Sequence, residues 1–192
     1  MCSSDLSIRE LASMQPPAPN AHAAERKELL ERMAASNRFG GLMLRDFVNE
    51  VDAARSIQFS AVTADCPDGS VLVAFRSTDS TLVGWKEDFM MAFETPVPAQ
   101  TEAVAYLERA AASAAGPLRL AGHSKGGNLA VYAAMNAPDA VQARIEAIYS
   151  FDGPGLDEDS IRSERYARIR SRIFSFLPQA SIVGLLLAYH PD

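Results

Sequence analysis

Gly122-His123-Ser124-Lys125-Gly126 sets a serine between two glycines where the short apolar run Leu118–Ala121 gives way to a small-residue stretch, GNLAVYAA. This is the G-x-S-x-G pattern in the setting it requires, with a strand before and a helix after. A serine hydroxyl is a poor nucleophile unless it is lifted clear of the sheet and held near a base. Flanking glycines permit the tight turn, because a Cβ there would collide with neighbouring backbone. A helix starting at Lys125 would turn its unpaired N–H groups toward the oxygen that becomes negative during acyl transfer. Gly/Ser clusters also mark ordinary turns. Here the strand, the helix and the additional Gly127 favour a nucleophile elbow, and no G-x-x-x-x-G-K-[ST] phosphate loop is present.

Two further loops offer partners. Asp152 ends the apolar run Ile145–Phe151 and has the chain order of the acid in a Ser…Asp…His hydrolase. The alternative is a turn-initiating aspartate before Gly153-Pro154-Gly155. Ser77 and Thr78 follow the run Ser70–Arg76, where they either begin a loop or add a backbone N–H and a hydroxyl to an oxyanion hole with the N–H of Lys125. The Lys125 side chain has two readings: a cation facing an anionic substrate, or a solvated group on the first helical turn. For a base there are only His22, His123 and His190. His22 precedes the fold, and elbow geometry sends His123 away from the serine to pack beside the sheet. His190 follows the acid in order but stands two residues from the last one, with nothing downstream to anchor it.

The elements that must position these residues alternate. Residues 1–20 carry Pro16, Pro17 and Pro19 and are expected to be disordered, and Cys2-Ser3-Ser4-Asp5-Leu6 resembles a translated adapter tail rather than native sequence. Ala23–Asn37 has helical spacing, Gly40-Gly41 breaks it, and Leu42–Arg55 reads as a second helix with Leu44, Phe47, Val48 and Val51 on its apolar side. Ile57–Ala64 and Ser70–Arg76 read as strands of a hairpin turned at Pro67-Asp68-Gly69, the second apolar enough to be covered on both faces. The Trp85-Lys86-Glu87-Asp88 cluster reads as a structural clamp, with Trp85 packed. Met90, Met91 and Leu185-Leu186-Leu187 read as core, with the lining of an acyl pocket as the alternative for the leucines. Then come a helix at Gln100–Ala115, the elbow, a short helix near Asp139–Ala143, a helix at Ile161–Arg170 and a strand at Ile173–Leu177. This order predicts an α/β-hydrolase-like, three-layer domain over residues 21–192, a mainly parallel sheet with helices on both faces. Its site would lie outside the carboxyl ends of the strands, where loops after Phe75, Ala121 and Phe151 emerge.

Composition bounds the rest. At 192 residues, 48% hydrophobic and 22% charged, the chain is globular and long enough for a substantial core. A net charge of −6 gives no support for nucleic acid or an anionic membrane as partner. No signal-type or transmembrane run occurs, which predicts a cytoplasmic protein. Cys2 and Cys66 suggest neither a disulfide framework nor a metal site, and no cofactor is implied.

FRSTDSTLVGWKEDFMMAF, PAQTEAVAYL, GHSKGGNLAVYAA, YSFDGPG and SIVGLLL together resemble the bacterial Mbeg-like family of α/β-hydrolases, related to the class-three triacylglycerol lipases. The resemblance covers roughly residues 38–190. It implies that Ser124 is the elbow serine and that Thr78 stands where the lipase relatives carry an oxyanion-hole Ser or Thr, with Ser77 in place of their glycine. Their acid lies near a D-x-V-P segment. The matching Ser181-Ile182-Val183-Gly184 has serine instead, which makes Asp152 the better acid. The family's base lies in a later Gln-His segment, so the chain is expected to be truncated at its C-terminus and inactive as it stands. The expected function of the full protein is ester hydrolysis through an acyl-enzyme on Ser124, acting on a small ester or lipid-like substrate. The base would be His190 or a histidine beyond Asp192. The rival expectation is a non-catalytic binding or scaffold protein on the same fold.

Overall fold

The N-terminal half builds the antiparallel side of a sheet. Its elements are β1 (Leu6–Ser7), α1 (Ile8–Ser13), α2 (Ala23–Ala35), β2 (Met43–Asp52), β3 (Ile57–Asp65), β4 (Val71–Phe75) and α3 (Leu82–Met91). The second half alternates: α4 (Pro98–Ala112), β5 (Leu118–His123), α5 (Lys125–Asn136), α6 (Asp139–Gln142), β6 (Ile145–Phe151), α7 (Glu158–Arg162), α8 (Glu164–Ile169) and β7 (Ile173–Phe176). The computed structural model describes residues 5–14, 23–78, 82–91, 95–179, 181, 184 and 187.

The sheet runs β1 to β7 in sequence order. Pairing is antiparallel from β1 to β4 and parallel from β4 to β7, so β2, β4, β5, β6 and β7, five of the seven, point the same way. The hairpin at Pro67-Asp68-Gly69 forms as its residues dictate. Gly69 takes φ 79°, and its N–H donates to the Cys66 carbonyl at 3.0 Å. Gly69, not a branched residue, is suited to that left-handed φ.

Packing follows strand alternation. In β4, Val71, Val73 and Phe75 are buried while Leu72 and Ala74 are half-buried, so only one face is fully covered. Phe59, Phe75 and Tyr106 of α4 pack together, with ring centroids 6.0–6.2 Å apart. Helix α5 is buried from Lys125 to Met135, and its run of Gly and Ala lets it lie close against β5, β6 and α4. On the opposite face of β6 and β7, Phe151, Phe174 and Phe176 are exposed, stacked as Tyr149–Phe174 at 5.5 Å and Phe151–Phe176 at 5.1 Å. The helical layer expected on both faces is thus dense on the α4–α5 side, while the other face of β6 and β7 leaves these rings open.

Three expectations are corrected. Leu42–Arg55 is not a helix: Met43–Asp52 is strand β2, paired with both β1 and β3. A register shift between Arg45 and Val48, with Asp46 at φ 56°, breaks the alternation and leaves apolar residues at spacings that mimic a helix. Residues 6–13, placed in a disordered tail, instead form β1 and α1. Ser7 and Glu10 make a reciprocal capping box there, and Ile8 is buried. The single helix at Ile161–Arg170 is two, α7 and α8, because the Ser163 hydroxyl caps a new start by accepting from the Tyr166 N–H. Met91 is buried as expected, whereas Leu187 is 36% exposed at φ 65°. Leu185, Leu186 and the Trp85 side chain lie outside the described residues.

Candidate active site at the carboxyl end of the sheet

Ser124 bridges β5 and α5 at φ 53°, ψ −126°, a conformation that side-chain-bearing residues rarely adopt. Close packing on both sides holds it there. A Cβ on Gly122 would lie 2.1 Å from the Gly126 carbonyl oxygen, and one on Gly126 would lie 2.3 Å from that of Phe75. Backbone bonds fix the bend: the Ser124 N–H donates to the Phe151 carbonyl at 2.9 Å, and the Ser124 carbonyl accepts from the Gly127 N–H at 2.8 Å. The hydroxyl makes no helix-capping bond, and the residue is partly exposed.

The parallel register brings the other loops to the same end of the sheet. His123 pairs with Phe151, so Ser124 and Asp152 each follow one registered pair on adjacent strands. Gly122 pairs with Phe75, and Thr78 stands three residues beyond Phe75, half-buried. Asp152 adopts φ 52° and its N–H donates to the Phe176 carbonyl at 2.8 Å. Its Oδ1 accepts from the Ser181 hydroxyl and from the Gly184 N–H at 3.2 Å. Ser181, from the segment after β7, therefore bonds directly to the aspartate that follows β6.

The Lys125 side chain overturns both sequence readings. It neither faces a substrate nor extends into solvent, being 2% exposed and paired with Glu87, itself fully buried. Its Nζ donates to the Gln58 carbonyl and Oε1, both at 2.7 Å, and to Glu87 Oε2 at 2.9 Å. Glu87 also accepts from the N–H groups of Gln58 (2.9 Å) and Ala99 (2.8 Å). The expected clamp in the Trp85–Asp88 cluster thus has Glu87 as its anchoring residue.

A second buried relay escaped the sequence reading. Gln100 Oε1 accepts from the Val97 N–H at 3.0 Å and its Nε2 donates to Asn128 Oδ1 at 2.9 Å. Asn128 Nδ2 donates to the Gly155 carbonyl at 2.6 Å, tying α5 to the loop after Asp152. Gly127 meets Gly153 at the same joint, where a Cβ on Gly153 would stand 2.9 Å from the Gly127 Cα. The sequence signal for this relay is the asparagine inside GHSKGGNLA, which is costly to bury without partners.

His22 and His190 lie outside the described residues. His123 is exposed rather than packed against the sheet, because its alternation parity puts it on the open face with Phe151. It lines an open depression of about 490 Å³ with Phe151, Asp152, Ser175, Phe176, Leu177 and Pro178. Among the described residues no cluster of His, Cys, Asp and Glu could hold a metal ion, and no helix is long and apolar enough to cross a membrane.

Strand order, the strained serine between strand and helix and the parallel register define an α/β-hydrolase-like protein. Residues 33–191 match the Mbeg1-like family, and the chain belongs to it. No curated protein matches. Among solved structures it is similar to a fungal lipase–inhibitor complex described as a model for interfacial activation, at 12% identity and a TM-score of 0.49. That likeness covers 73% of this chain and 58% of the lipase chain, so this chain spans less than two thirds of that relative.

Proposed function

We propose that the protein is a serine ester hydrolase that works through an acyl-enzyme on Ser124. The observation carrying this reading is the backbone of Ser124, held at φ 53° between a strand and a helix N-terminus with its hydroxyl free of capping duty. Strain of this kind persists only where surrounding structure enforces it, and it concentrates at functional sites. Ser124 Oγ attacks the ester carbonyl while its proton passes to a histidine. The N–H groups of Lys125 and Thr78 receive the oxyanion. The alcohol departs with the proton, and water then releases the acid by the same route in reverse. Asp152 orients the histidine, with Ser181 and the Gly184 N–H holding one carboxylate oxygen and leaving the other for the imidazole. His190 is the candidate base within this chain; otherwise the base is a histidine of the longer protein.

The stacked rings beside His123 support an apolar acyl or lipid-like portion in the substrate. A cytoplasmic location and independence from nucleic acid belong to the same proposal, since a net charge of −6 offers a polyanion no attraction. A single domain over residues 21–192 belongs to the same reading.

A second reading, a non-catalytic binding protein on this fold, is favoured by one observation: the described partners of Asp152 Oδ1 are the Ser181 hydroxyl and the Gly184 N–H of the segment after β7, which tie the carboxylate into the fold. The experiment is fluorophosphonate labelling and turnover of a p-nitrophenyl ester panel by the full-length wild-type protein and its Ser124→Ala and Asp152→Asn variants. Labelling that needs Ser124, with kcat down about 10⁴-fold in Asp152→Asn, supports the hydrolase. Equal labelling with and without Ser124, or no turnover at all, selects the second reading.

A further inference from the structure

The two proposed oxyanion donors belong to different loops. Thr78 follows β4, whereas the Lys125 N–H opens α5. An oxyanion hole works only if its donors keep their separation to within about 0.5 Å. The Lys125 side chain leaves the same Cα region as the donor N–H and runs into the interior to meet Gln58 of β3 and Glu87 of α3. Helix α3 is the next element after the loop bearing Thr78, and Glu87 also holds the Ala99 N–H in the first turn of α4. One buried ion pair therefore links the elbow to the segments that flank the second donor.

Stability alone is a poor reason for such a pair. Two fully desolvated charges give back in attraction roughly what their burial costs, and well-packed apolar residues of equal volume commonly do as well or better. The arrangement carries a further cost, since Gln58 is fully buried and its Nε2 finds no hydrogen-bond partner among the described residues. What the pair supplies that methionine and leucine could not is direction. Three acceptors around one ammonium hold the first residue of α5 in a single position.

We propose that Glu87, with Gln58, is a positioning residue: the Lys125–Glu87 pair is the strut that sets the distance between the oxyanion donors. The inference rests on the hydrolase reading above and adds to it a residue 37 positions before the nucleophile in sequence.

The test uses the full chain and compares wild type with Lys125→Met, Glu87→Gln and the double variant Lys125→Met/Glu87→Gln. Each single change strands a buried partner and lowers Tm. The double change removes both charges at similar volume and recovers most of that loss. Activity is the discriminating readout, because a merely structural pair would regain kcat together with Tm. The strut predicts that the folded double variant keeps KM within about twofold while kcat on a p-nitrophenyl ester and the fluorophosphonate labelling rate of Ser124 fall about 10- to 100-fold, less than the loss of a whole donor. A double variant with wild-type Tm and wild-type kcat overturns the strut and leaves the hydrolase standing. Absence of Ser124-dependent labelling in wild type removes the hydrolase reading, and the strut with it.

Discussion

Replacing Ser124 by glycine should make the protein more stable. The perturbation isolates one quantity, the cost of holding a Cβ-bearing residue at φ 53°, ψ −126°. Such strain costs about 1–3 kcal/mol, and glycine removes it. Against that gain, glycine gives the unfolded chain extra freedom worth about 0.4–1 kcal/mol. The serine hydroxyl makes no capping bond whose loss would add to the cost. The net expectation is a gain of about 1 kcal/mol, or about 2–4 °C in Tm for a chain of this length. Ser124→Ala is the control. It deletes the same hydroxyl but keeps the Cβ, and should stay within about 0.5 kcal/mol of wild type. Urea denaturation of the three proteins, read by circular dichroism, separates the cases. If the alanine and glycine variants unfold at the same urea concentration, the backbone at position 124 is unstrained, and the principal support for a nucleophile there is gone.

Three other outcomes follow from the same geometry. Gly126→Ala places a Cβ 2.3 Å from the Phe75 carbonyl oxygen and 2.9 Å from its carbon, both backbone atoms that cannot swing aside. It should cost about 3 kcal/mol or more, whereas Gly69→Ala, with open space but φ 79°, should cost about 1 kcal/mol; paired denaturation curves decide. Arg144 donates to the carbonyls of Ala111, Ala114 and Gly116 at the end of α4. Arg144→Met should therefore lose about 2–3 kcal/mol, and a change in the urea midpoint below a third of that would refute the capping role. Asp68 is held down to about 2 by the Ser70 hydroxyl and N–H and by Arg119. Since the folded value lies below the ordinary one, its stabilisation of the hairpin is present above about pH 4 and is lost as pH falls toward 2. Carboxyl NMR titration should find that depressed midpoint, and Asp68→Asn should flatten the acid limb of the stability curve.

Much of the fold was legible because strong local signals agreed with one another. The Ile145–Phe151 strand was read to the residue, and the Pro67-Asp68-Gly69 turn was unambiguous. Where reading failed, long-range pairing had overruled periodicity. Met43–Asp52 carries apolar residues at spacings suited to a helix, but a bulge and two strand partners make it β2. At the site the limit was different. Asp152 could be nominated from chain order, but not its bond to Ser181, 29 residues away. Lys125 drew two exposed interpretations, because nothing near it in sequence announces that a carboxylate 38 residues earlier will be buried against it.

By itself the sequence determined the elbow. Two glycines around a serine, an apolar run before and a small-residue helix after leave few other conformations, since turn sterics and burial are both local demands. Tertiary structure alone decided what surrounds that elbow: which strand lies beside it, which carbonyls fix its bend and where the lysine's charge is neutralised. Those contacts join residues far apart along the chain. Their free energy depends on desolvation and on distances that arise only once the sheet has assembled.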